Sequence, residues 1–218
     1  MMRLHGIVIV SILAALAVTG CEEQAVTEAA PAEIELAGPI NEVRADGLVA
    51  DWMVMVFNIK PGGEREQDEE YFIKTFDADY LAPIGGEAKA VLTAKTVVPY
   101  KDESGQDQKA TASQASADAI GWLSSEWDEA SAGRRIAYAY CVLKSDKPQK
   151  VKLYFGSDDE GKIWVNGELV HKTYDARSCE SRQDTVTVDL KKGLNSMLVK
   201  TSQRSVSWVF ALEAYAAK

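Results

Sequence analysis

The residues with chemistry to offer are few. His5 and His171 are the only imidazoles, and His171 lies in a strand-like stretch with no GxSxG elbow or glycine-rich phosphate loop to accompany it. Three cysteines, Cys21, Cys141 and Cys179, occur without a CxxC or an HExxH, so neither a zinc cluster nor an iron-sulfur centre has its ligands. Thirty-three Asp and Glu would supply chance pairs to any glycosidase argument, and their separation is not written in the sequence. The expectation is no catalytic residue. What remains is a set suited to recognition by hydrogen bonding and stacking. Asp158 and Asp159 stand between a strand and a hairpin, where carboxylates accept backbone N–H groups and stabilise the turn. Trp164 faces opposite to Ile163 and Val165, so it is either a second-face core residue or an exposed stacking platform. Asn166 precedes Gly167, a pair that backbone geometry alone explains, and Arg204 in Ser202-Gln203-Arg204-Ser205 is a loop guanidinium able to donate to hydroxyls.

The chain that must position them has 218 residues, 46% apolar and 26% charged, the balance of a globular protein. With 24 Lys and Arg against 33 Asp and Glu, its formal charge of -9 argues against a nucleic-acid partner. Met1 to His5 carries Arg3 and His5, and Gly6 to Val18 is apolar except for Ser11, the charged and hydrophobic regions of a secretory signal. Val18-Thr19-Gly20-Cys21 resembles the lipobox of bacterial lipoproteins. That resemblance implies cleavage before Cys21, acylation of its thiol and amino group, and a membrane anchor with about 0.8 kcal/mol per buried CH₂. Glu22, where an Asp would resemble an inner-membrane retention signal, makes the outer membrane the expected side of the cell envelope. Residues 21–45, rich in Glu, Ala and Pro, read as an acidic flexible tether.

From Val49 onward the apolar period is two. Trp52, Val54 and Val56 alternate with Met53, Met55 and Phe57, and Ile136 to Leu143 is apolar on both faces, so both strands belong at the centre. Val151, Leu153 and Phe155 alternate with lysines, as in a strand with one wet face. Asn166-Gly167 joins a hairpin, a second is expected through Lys191-Lys192-Gly193, and the last strand runs from Val206 to Tyr215. Asp68 to Leu81 reads as a short helix or ordered loop, and residues 101–118 as a polar loop or insert. Trp122 and Trp127 are expected to cap the core. About eight strands without βαβ alternation give an all-β fold, an antiparallel β-sandwich of one domain over 46–218.

Particular residues carry a resemblance within this domain: Ala137-Tyr138-Ala139, Gly156-Ser157-Asp158-Asp159-Glu160-Gly161, Lys162-Ile163-Trp164-Val165-Asn166-Gly167, Leu190 to Asn195, Leu198-Val199-Lys200 and Trp208-Val209-Phe210. They resemble the galactose-binding-like, jelly-roll modules found beside bacterial glycoside hydrolases and in secreted lipoproteins. The resemblance implies a carbohydrate-binding-like module with no cofactor, save the option of a structural calcium ion. It implies that Asp158 and Asp159 serve as calcium or sugar-hydroxyl ligands, as in the Asp-Asp loops of protective-antigen-type lectin domains. Trp164, Asn166 and Arg204 complete the expected ligand set. Two partners compete: a glycan, or an envelope protein held by a purely structural lipoprotein. Export also places Cys141 and Cys179 where a disulfide persists, against the alternative of one buried and one exposed free thiol.

Overall fold

The computed structural model describes residues 36–60, 68–118, 122–124 (backbone only), 133–204 and 209–217. The signal-like segment, Cys21, residues 21–35, Trp127, Val206 and Trp208 lie outside them, as does the side chain of Trp122. No helix among the described residues is long and apolar enough to cross a membrane.

The elements in chain order are β1 (Ile40–Glu42), β2 (Asp51–Lys60), α1 (Glu69–Asp77), a 3-10 turn (Ala82–Ile84), β3 (Val97–Lys101), β4 (Asp107–Thr111), β5 (Ser113–Ser116), β6 (Trp122–Ser124), β7 (Arg134–Ser145), β8 (Gln149–Asp158), β9 (Gly161–Val165), β10 (Glu168–Thr173), β11 (Asp184–Leu190), β12 (Gly193–Gln203) and β13 (Val209–Ala216). The larger sheet runs β10-β9-β12-β7-β2-β5, with β1 lying parallel to β7 where β2 has left it. The smaller sheet runs β11-β8-β13-β6, and β3 and β4 form a separate hairpin. The fold is an antiparallel β-sandwich, all-β as the apolar period indicates.

One core fills the space between the sheets. Trp52, Ala139, Ile163 and Val199 meet Leu153, Phe155 and Phe210 there, and the Trp52 and Phe210 rings stand edge to face at 5.3 Å. A second core lies on the opposite face of the larger sheet, where Met55, Phe57, Tyr138, Tyr140, Trp164 and Leu198 are covered by Phe76, Leu81, Leu92 and Val98. The molecule therefore has a third layer, made of α1, the 3-10 turn and the β3–β4 hairpin. Asp68 caps α1 by accepting from Glu70 N at 2.9 Å, and the acidic first turn suits the helix dipole.

Three expectations are corrected. Residues 101–118 are not an insert: they hold the end of β3 together with β4 and β5, and the buried Ala110 in β4 and Ala112 between the two strands are too small to register as a hydrophobic period. The tether expectation does not hold over residues 36–45, which include β1, and Asn41 is buried with its carboxamide bonded to Ala50 N, Asp51 N and Asp51 O. Lys191-Lys192-Gly193 does not close a hairpin, since β11 pairs with β8 in the smaller sheet while β12 pairs with β7 and β9 in the larger.

Candidate functional site

β8 leaves the smaller sheet at Asp158 and the chain enters the larger sheet at Gly161, so Asp159 and Glu160 bridge the sheets at one end of the sandwich. The peptide bond between Asp158 and Asp159 is cis. The bridge is fastened to the end of β12. Asp159 N donates to Ser202 O at 3.0 Å, Thr201 Oγ1 donates to Glu160 O at 2.9 Å, and Arg204 N donates to Asp159 Oδ2 at 2.8 Å. From the other side Ser157 Oγ donates to Asp159 O at 2.9 Å and itself accepts from Arg177, which also pairs with Asp184.

Glu160 is fully buried and is the electrostatic hub. Its carboxylate meets Arg134 Nη1 at 3.3 Å and Arg204 Nε at 2.8 Å, and accepts the Ser202 hydroxyl. Arg134, also buried, spends its other donors on Thr75 Oγ1, Phe72 O and Gln203 O. A buried charge survives only with such partners. Asp158 and Asp159 are placed differently. No side-chain hydrogen bond reaches the half-buried Asp158 carboxylate among the described residues, and burial holds its pKa above the ordinary carboxylate value. Asp159 is pushed up to about 6, mainly by burial and further by the charges of Asp158 and Glu160, against the relief given by the Arg204 amide. Acceptor positions thus remain on the half-buried Asp158 carboxylate and on one oxygen of the buried Asp159, while the Arg204 guanidinium is engaged elsewhere.

The structure does not assemble the whole expected set. Trp164 is 7% exposed and belongs to the second core, so the stacking platform is replaced by packing under the third layer. Its opposite facing to Ile163 and Val165 is as the sequence indicates. Asn166 lies at the far end of β9, five strand residues and about 17 Å from the Asp158–Asp159 bridge. It has φ 52°, and its side chain donates to Asn195 Oδ1 and accepts from Ser196 N, a turn former occupied by structure. Arg204 does come to the bridge, but through its backbone. Its guanidinium is spent on Glu160, Glu69 and Tyr174 O, so it is not a free hydroxyl donor. Cys141 and Cys179 are both buried free thiols. Cys141 lies in the inter-sheet core beside Asn41, whereas Cys179 lies against the backbone of Ala211, and these separate surroundings replace the expected disulfide.

Glu160, Arg134 and Glu69 were not legible as a group, because their contacts join positions 26 to 135 residues apart. A resident calcium ion prefers six to eight oxygen ligands. Here Glu160 is consumed by two arginines, and among the described residues no three His, Cys, Asp or Glu side chains are placed to hold a metal.

No family model matches the chain, and no curated protein matches it. Similar solved structures include a PA14 sugar-binding domain from an RTX adhesin, 12% identical over 77% of this chain and 90% of that one, with a TM-score of 0.40. A family 35 carbohydrate binding module from Clostridium thermocellum is 12% identical, over 59% of this chain and 98% of that one, with a TM-score of 0.29. A beta-glucosidase from Kluyveromyces marxianus, in complex with glucose, is 13% identical over 39% of this chain, with a TM-score of 0.33; the match spans 11% of its length.

Proposed function

We propose that this chain is an envelope-anchored lipoprotein whose β-sandwich is a non-catalytic carbohydrate-binding module, with Asp158 and Asp159 accepting sugar hydroxyls. The observation that carries the reading is the pair of adjacent carboxylates at the sheet end, with acceptor positions that no guanidinium among the described residues occupies. Hydroxyl groups are donors that such a pair can orient, and carboxylate acceptors make stronger hydrogen bonds than neutral ones. The resemblance of the Gly156 to Gly167 segment to galactose-binding-like modules supports the same reading. Trp164 and Asn166 have no part in it, and Arg204 serves from behind.

The anchor rests on Arg3, the apolar run and Val18 to Cys21. Intact-mass analysis of membrane fractions then finds a diacylated or triacylated chain beginning at Cys21; an unlipidated protein retaining Met1 refutes the anchor. The sugar reading is tested on a glycan array, with and without calcium, followed by Asp158→Asn and Asp159→Asn. Each variant is expected to lose binding by about tenfold, the scale of one charge-assisted hydrogen bond. Absence of binding to any envelope or plant polysaccharide, with specific capture of an envelope protein, establishes the structural-lipoprotein alternative.

A further inference from the structure

Arg204 touches the candidate site with one end and α1 with the other. β12 ends its ladder with β7 at Gln203 opposite Arg135, so sheet pairing no longer holds the amide of Arg204 that donates to Asp159. What holds the residue is its side chain. Nε donates to buried Glu160 at 2.8 Å. Nη1 and Nη2 donate to the two carboxylate oxygens of Glu69 at 2.6 and 2.8 Å, a fork-to-fork pair, and Nη2 also donates to Tyr174 O at 3.1 Å. The guanidinium lies over the Phe72 ring, 4.5 Å from its centroid. Glu69 and Phe72 are three residues apart on α1 and so present carboxylate and ring from one face.

We propose that Glu69 of α1 is a positioning residue for the Asp158–Asp159 site, acting through Arg204. The proposal rests on reading those two carboxylates as the ligand-accepting pair. Glu69 does two things from a distance: it fixes the direction of the Arg204 N–H that orients Asp159, and it keeps the guanidinium from swinging onto the open carboxylate oxygens. Glu160 alone cannot do both, because it engages only Nε, and without Glu69 the outer fork of Arg204 keeps a single bond, from Nη2 to Tyr174 O. The site is thereby preorganised by a helix that does not contribute a ligand to it.

The test uses the full chain, labelled with nitrogen-15, and needs no ligand. Backbone amide exchange at Arg204 and the side-chain Nε–H signal of Arg204 are compared in wild type, Glu69→Gln and Glu70→Gln. Glu69 is 60% exposed, so its variant keeps the fold and its melting temperature. The expected result is exchange at least about tenfold faster at both Arg204 groups in Glu69→Gln, with Glu70→Gln like wild type and the Arg134 Nε–H signal, held by Thr75, unchanged. Arg204→Lys, which keeps the charge but not the fork, is expected to show the same loss of amide protection. Rates within about twofold of wild type in Glu69→Gln, or equal acceleration in Glu70→Gln, overturn the proposal. A blank glycan array would refute the sugar reading and leave this result standing, and the converse holds.

Discussion

Lys162 and Lys200 stand directly opposite each other on β9 and β12, and both ammonium groups rest against one ring, 4.8 and 5.2 Å from the centroid of Phe76. Two like charges tolerate this because each has its own counter-ion from the covering layer. Asp77 Oδ1 lies 2.5 Å from Lys162, and Glu87 Oε1 lies 2.7 Å from Lys200, which also donates to Ala78 O at 2.8 Å. Tyr138 adds a hydroxyl donor to the same Glu87 oxygen. The third layer is thus held to the sheet by aromatic rings and buried ion pairs together.

This arrangement gives a pH signature. Burial brings Lys200 down to about 8, below its ordinary value of 10.5 and against the pull of Glu87. Between those values the unfolded chain holds a proton that the folded chain has lost, so stability rises with pH. Denaturant unfolding is expected to show a gain on the order of 2 kcal/mol from pH 8 to 10. Above pH 10 the tyrosines, whose pKa values burial raises in the fold, reverse the trend. In Lys200→Met the rise between pH 8 and 10 disappears; a rise of equal size in that variant refutes the assignment.

The central strands were legible because their chemistry is local. β2 and β7 are apolar on both faces, and a strand with two apolar faces must be covered twice. The Asn166-Gly167 turn was equally legible, since both residues have positive φ and a Cβ on Gly167 would stand 2.5 Å from Ala88 O. The third layer was not. Lys162, Lys200 and Arg134 are of residue types that ordinarily stay in water, yet they are buried because Asp77, Glu87 and Glu160, far away in the chain, arrive to pair with them. Trp164 was ambiguous for the same reason: its facing followed from the alternation, while its cover depended on elements with no strong periodicity of their own. At the site, Asp158 and Asp159 stood out by type and spacing, but the commitment of Arg204 to Glu69 joins residues 135 positions apart.

Arg134 makes a sharper stability test than any surface charge. Arg134→Met leaves the buried Glu160 with one fewer cation and removes the donors to Thr75, Phe72 and Gln203. Breaking a buried pair in this way costs about 3–5 kcal/mol, and Lys at this position cannot recreate the fork. Urea unfolding of both variants checks this; a loss under about 1 kcal/mol would show that Glu160 is sufficiently held by Arg204 and Ser202 alone.

Cys141 and Cys179 are expected to behave as two inert thiols. Burial raises both pKa values, Cys179 to about 11 and Cys141 further, so little thiolate exists at neutral pH. Neither reacts with an alkylating reagent in the native protein, and both are alkylated in denaturant without reductant. Alkylation that requires prior reduction would establish a disulfide instead.

Asp159 is expected to trade stability for its place in the site. Its folded value of about 6 exceeds the ordinary 3.8, so the folded chain holds a proton that the unfolded chain has released across that window. Its contribution is present below pH 4 and is lost as pH rises through 6. Asp159→Asn removes the ionisation, keeps an oxygen for the Arg204 amide, and should therefore stabilise the protein at pH 7 by about 1–2 kcal/mol, a figure reduced for the partial solvent screening of the group. The same variant should lose sugar binding, because an uncharged acceptor holds a hydroxyl less strongly. Chemical denaturation at pH 4 and pH 7 separates the two effects: the gain appears at pH 7 and vanishes at pH 4. A variant less stable than wild type at pH 7 would mean that the carboxylate has a buried counter-charge after all, and would remove the argument that its acceptor oxygens are open.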